Sequence, residues 1–111
     1  MEVTEIKKSK FYSQAYKVES KQQCDDIIEK LKTEHKKATH ICFAYILSNT
    51  AKFSDDGEPS GTAGKPILNV LQKKNLVNVM VVVIRYFGGV KLGAGGLVRA
   101  YTKSASVCLK D

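Results

Sequence analysis

Asp55, Asp56 and Glu58 stand directly ahead of Ser60, Gly61, Thr62 and Gly64, and Pro66 follows close behind. Clustered carboxylates suit a hard cation such as Mg²⁺, bridged to a substrate phosphate. Glycines and short hydroxyls at a helix start suit an anion, because the leading amides of a helix have no internal partners and its dipole favours negative charge. These chemistries conflict, since three carboxylates repel a phosphate unless a cation stands between them. The acidic residues are therefore open to three readings: an Mg²⁺-phosphate site, carboxylates that accept hydrogen bonds from a second glycine loop and lock the two loops together, or charges solvated in a turn. For the hydroxyl-bearing half, the structural alternative is that Ser60 or Thr62 caps the helix while the glycines make the turn.

The second glycine loop runs Gly88, Gly89, Val90, Lys91, Leu92, Gly93, Ala94, Gly95, Gly96. It is not a P-loop, because the GK[ST] ending is missing. Nor is it a dinucleotide fingerprint, because Val98 stands where the third glycine would follow Gly93 and Gly95. Beyond it, Arg99, Lys103, Ser106 and Lys110 share one helical face by their spacing. With Arg85, Lys91, Gly93, Gly95 and Gly96, the cations Arg99 and Lys103 form a candidate surface for anions or nucleic acid, whose affinity would fall steeply with salt. A solvated helical face is the plainer reading of the stripe. Tyr86 and Phe87 suit stacking on unpaired bases, or else a place in the core or its rim. His40 opens an apolar strand and is an acid-base candidate with Asp55 or Asp56, a structural histidine being the simpler role. His35 falls at a helix end, where it offsets the dipole.

These residues need elements to position them. Alternation over residues 11–18 reads as an edge or hairpin strand, with Tyr12, Tyr16 and Val18 on one face. Ser20 caps an amphipathic helix to about residue 35. An apolar strand occupies residues 40–47 and a short strand lies near Lys52 and Phe53. Pro66 is tolerated only in a first helical turn, which starts the next helix near Gly64 and carries it to about Lys73. The β-branched run 77–84 is the central strand. A last helix over residues 94–109 points Leu97, Ala100, Tyr101, Ser104 and Cys108 at the core. The result is an α+β sandwich of one helical layer on a mixed sheet of four or more strands.

The 111 residues, 43% hydrophobic, suit one domain. No apolar run is long enough for a bilayer span, and the N-terminal residues lack a signal peptide's apolar stretch, so the expectation is a cytoplasmic protein without a membrane partner. Cys24, Cys42 and Cys108 have no metal-ligand spacing and read as reduced, mostly buried thiols. The net charge of +7 is unevenly spread: residues 1–39 carry nine lysines against seven acids, whereas residues 59–110 hold eight cations and no acid. Such asymmetry suits a polyanion partner or simple solubility.

The stretches ATHICFAY (residues 38–45), SDDGEPSGTAGKPIL (54–68) and VVVIRYFGGVKLGAGGLVRAY (81–101) resemble the signature segments of the N-terminal domain of the YigZ/IMPACT family. The resemblance implies a fold like ribosomal protein S5 domain 2, and one IMPACT-type domain over residues 1–111 without the ferredoxin-like C-terminal domain of bacterial relatives. Eukaryotic members regulate translation by interfering with activation of a stress-responsive initiation-factor kinase. The expected function is thus a non-enzymatic, translation-associated module that binds RNA or a ribosome-linked protein and needs no cofactor. The alternatives are an Mg²⁺-dependent nucleotide- or phosphate-binding enzyme and a purely protein-binding regulator.

Overall fold

The computed structural model describes residues 1–110. Its elements are β1 (Glu2–Ile6), β2 (Ser9–Lys17), α1 (Lys21–Glu34), β3 (His40–Ile46), β4 (Ala51–Ser54), α2 (Gly64–Lys73), β5 (Val79–Tyr86) and α3 (Gly93–Cys108). The strands form one sheet in the order β1-β2-β5-β3-β4. Every neighbouring pair is antiparallel, so the sheet is not mixed.

The α+β class holds, but helices cover both faces of the sheet rather than one. Alternate residues of β5 explain why. Val81 and Val83 pack with Phe11, Cys42 and Ala44 under α2 and α3. Met80, Val82 and Ile84 pack with Ile41 and Tyr45 on the face where α1 supplies Cys24, Ile28 and Leu31. A strand apolar on both faces needs cover on both, which accounts for its unbroken hydrophobic run.

Two strand assignments differ from the sequence reading. β5 begins at Val79, past Asn78 with its positive φ of 60°, and continues through Arg85 to Tyr86. Its apolar pattern stops at Ile84, whereas the ladder does not. β1 has no counterpart in the sequence reading. It joins β2 through a tight turn in which Lys7 and Lys8 both have positive φ, at 47° and 69°, between the paired residues Ile6 and Ser9. Asn and Gly are the usual residues in such a turn, and Lys-Lys gives no signal for it.

The helix starts are set by separate devices. Ser20 and Gln23 make a capping box for α1. The packing of α2 and of the second glycine loop depends on missing side chains. A Cβ on Gly64 would lie 2.6 Å from the Ser54 carbonyl oxygen, and one on Gly88 would lie 1.9 Å from that of Lys8. Each glycine lets two backbones touch.

Candidate functional site

The site lies beneath α3 where β2 and β3 begin and β5 ends. Antiparallel register sets Phe11 and His40 on either side of Arg85, on the face covered by α2 and α3. The loop after β4 brings down Glu58, and α3 brings down Tyr101. Arg85 is 5% exposed and Glu58 is 7% exposed, so each charge needs a partner.

They find one another. Arg85 Nη1 donates to Glu58 Oε1 and Oε2 at 3.0 and 2.8 Å, and the Tyr101 hydroxyl donates to Oε2 at 2.5 Å. Arg85 Nε and Nη2 each donate to Ser9 Oγ at 3.3 Å. Its guanidinium carbon lies over the Phe11 and Phe87 rings, 5.6 and 5.4 Å from their centres. Arg85 therefore leaves the surface set in which the sequence placed it: it is the buried partner of Glu58.

His40 completes the cluster. Its Nδ1 is 2.8 Å from the Asp56 carbonyl oxygen, which accepts only, so Nδ1 carries a hydrogen. Its Nε2 is 3.4 Å from Glu58 Oε1. The carboxylate facing His40 is that of Glu58 rather than Asp55 or Asp56. Behind them Cys42 Sγ lies 3.2 Å from the Asp55 carbonyl oxygen and 3.5 Å from the Tyr101 hydroxyl. Burial, then the neighbouring Cys42, then Glu58 push the Tyr101 phenol far up; burial raises the Cys42 thiol likewise.

The acidic loop is organised in a way none of its three readings anticipated. Asp55 accepts hydrogen bonds from the amides of Gly61 (2.9 Å), Ala63 (3.1 Å) and Gly64 (2.8 Å). A carboxylate of the chain thus fills the anion position at the start of α2. Ser60 and Thr62 do not cap that helix. Ser60 is exposed, and Thr62 donates instead to the Pro59 carbonyl. Asp56 accepts from the Ile41 amide at 2.6 Å, and its own amide donates to Ser54 Oγ at 3.2 Å. Gly57, with φ of 86°, closes the turn to Glu58. The three carboxylates point to three different partners, and among the described residues no group of His, Cys, Asp and Glu converges as metal ligands would.

The second glycine loop differs. α3 has no side-chain cap and no acidic residue in its first turn. Gly93 and Ala94 line a cleft of about 430 Å³ together with Thr39, His40, Glu58, Pro59, Arg85, Phe87, Lys91, Leu92 and Leu97. Gly95 and Gly96 follow on the same turn. Arg99 and Lys103 flank a neighbouring groove with Lys7 of the β1-β2 turn, a cation the sequence reading left out because it missed that hairpin. Lys7, Lys91, Arg99 and Lys103 are exposed, and none forms a salt bridge among the described residues.

Tyr86 and Phe87 do not act as a pair. Tyr86 accompanies Tyr12 and His35 on the α1 side, its hydroxyl 2.7 Å from His35 Nδ1, whereas Phe87 is 47% exposed at the cleft. His35 does end α1 as its C-cap. No helix is long and apolar enough to cross a membrane among the described residues.

Residues 7–109 match the family described as the Impact N-terminal domain. The chain belongs to the IMPACT family. It is 51% identical over 104 residues to the IMPACT family member YvyE of Bacillus subtilis, covering 91% of this chain and 48% of that protein. A crystal structure of a hypothetical protein superposes with a TM-score of 0.92 at 40% identity, over 96% of this chain and 54% of the other. The two-domain translational regulator Yih1 superposes with a TM-score of 0.58 at 27% identity, over 95% of this chain and 44% of Yih1. The IMPACT domain described here thus spans about half the length of these relatives.

Proposed function

We propose that this IMPACT domain is a non-enzymatic, translation-associated regulatory module that docks on RNA through its basic face. The observation that carries the reading is the set of cations Lys7, Lys91, Arg99 and Lys103 around the start of α3, none in a salt bridge among the described residues. Three separate segments supply them. Kinship with the translational regulator Yih1 supports the cellular setting. The internal use of Asp55, Asp56 and Glu58 supports a binding role, because these carboxylates already hold a helix, a strand and a buried arginine.

Phosphate contacts release counterions, so affinity for single-stranded RNA falls with salt, by about 0.7 in the log-log slope for each phosphate neutralised. Fluorescence anisotropy of a short labelled RNA, at low and near-physiological salt, tests this. The double variant Arg99→Glu, Lys103→Glu should bind more weakly, with a slope shallower by about 1.4. Equal binding by the variant would reject the surface. No RNA binding by either protein would move the assignment to a ribosome-linked or other protein partner.

A further inference from the structure

The cleft at the start of α3 has features that the basic face does not explain. Its floor is the Arg85-Glu58 pair. A guanidinium has five N-H donors. The Nε hydrogen and one Nη2 hydrogen of Arg85 meet Ser9 Oγ and Nη1 meets both oxygens of the one Glu58 carboxylate, which leaves the second Nη2 hydrogen without an acceptor among the described residues. Arg85 lines the cleft, so an acceptor on a ligand there can take that donor in place of water. Glu58 is the one carboxylate in the lining, and Arg85 and Tyr101 already hold it.

The walls supply two other kinds of contact. Phe87 exposes an aromatic ring at the cleft. In the same lining, Gly93 and Ala94 begin a helix with no side-chain cap, beside Lys91, which has no salt bridge among the described residues. A volume of about 430 Å³ is within the range of small-molecule sites.

We propose that this cleft binds a nucleoside monophosphate. Its base lies against Phe87, its phosphate sits at the first turn of α3 beside Lys91, and an acceptor on the base or sugar takes the remaining Arg85 hydrogen. The same chemistry comes from a free mononucleotide or from the 5′-phosphorylated end of an RNA. The site shares Lys91 with the basic face and otherwise uses Phe87, Arg85 and the first turn of α3.

Calorimetric titration of the intact chain with AMP, GMP, CMP and UMP tests it, with adenosine and inorganic phosphate as partial ligands. At least one mononucleotide should bind saturably and more tightly than adenosine or phosphate. Phe87→Ala should weaken it about tenfold or more, as loss of one stacked base does. Ala94→Asp should do the same by placing a carboxylate at the phosphate position. Ala94 is exposed, and an acid in a first helical turn favours the helix, so this variant should melt no lower than the parent. Lys73→Glu, Lys74→Glu, at exposed lysines of the C-terminal end of α2 that line neither the cleft nor the basic groove, should leave mononucleotide binding unchanged, which separates a local site from the net charge of the chain. No saturable binding of any of the four, or binding undiminished in Phe87→Ala or Ala94→Asp, would overturn the proposal. Competition between AMP and a 5′-phosphorylated RNA hexamer, absent with the 5′-hydroxyl hexamer, would identify an RNA end as the source; its absence would identify a free nucleotide.

Discussion

Arg85 and Glu58, 27 positions apart in the chain, meet where one guanidinium nitrogen donates to both carboxylate oxygens in a place where both residues are nearly inaccessible. Removing one partner strands the other charge. Arg85→Met should therefore cost about 3–5 kcal/mol of unfolding free energy, and Glu58→Leu a similar amount. The double variant should recover part of the loss, because it buries two apolar side chains instead of an unmatched ion. Urea denaturation of the three variants measures this; additive losses would show that the two residues act separately.

The Asp55 carboxylate accepts three amide hydrogen bonds at the start of α2. It acts as an N-cap delivered from outside the helix. Asp55→Ala should destabilise by about 1–2 kcal/mol and speed amide exchange at Gly61, Ala63 and Gly64 ahead of the rest of α2. Asp55→Asn, which keeps one acceptor oxygen, should fall between. Unchanged exchange at those three amides would assign the start of α2 to packing alone.

Some of this was legible in the sequence and some was not, for physical reasons. Ser20, Pro66 and the β-branched run of β5 act locally, so their patterns placed α1, α2 and the central strand within a few residues. The Lys7-Lys8 hairpin lacked turn chemistry, and β1 went unseen with it. Arg85 looked like a surface cation because a charged residue ends an apolar run; only the folded chain reveals that it meets Glu58 and lies over two rings. The acidic loop was visible as a unit, but its three separate partners depend on contacts between residues distant in the chain, including Asp56 with Ile41.

Gly88 and Gly89 stand side by side yet should respond differently to alanine. A Cβ on Gly88 meets backbone atoms of Lys8 at 1.9 and 2.1 Å, and backbone cannot swing aside. Gly88→Ala should cost about 3 kcal/mol or more by forcing the hairpin away from the loop. Gly89 has open space around it but a φ of +89°, so Gly89→Ala should cost only about 1–2 kcal/mol. Urea midpoints in the opposite order would mean that the loop, rather than the hairpin contact, limits stability.

Alkaline pH should expose the buried thiol and phenol. Burial raises Cys42 above its ordinary 9.0 and Tyr101 above its ordinary 10.0; for Cys42 the Tyr101 hydrogen bond works against the shift, and nearby Glu58, Asp56 and Asp55 add to it. Well below pH 9 both groups keep their protons whether the chain is folded or not, and their contribution to stability is complete. Above it the unfolded chain releases protons that the folded chain retains, so the unfolded state gains and stability falls as pH climbs toward the raised folded-state values. Each group that ionises only on unfolding contributes a slope of about 1.36 kcal/mol per pH unit. Unfolding free energy measured between pH 8 and 11 should therefore decline, and the decline should be shallower in Cys42→Ala and in Tyr101→Phe. Cys24 and Cys108, whose thiols are also raised by burial, keep the slope from vanishing in either variant. A parent profile that stays flat to pH 11, or variants that decline as steeply as the parent, would mean that the two groups ionise without unfolding.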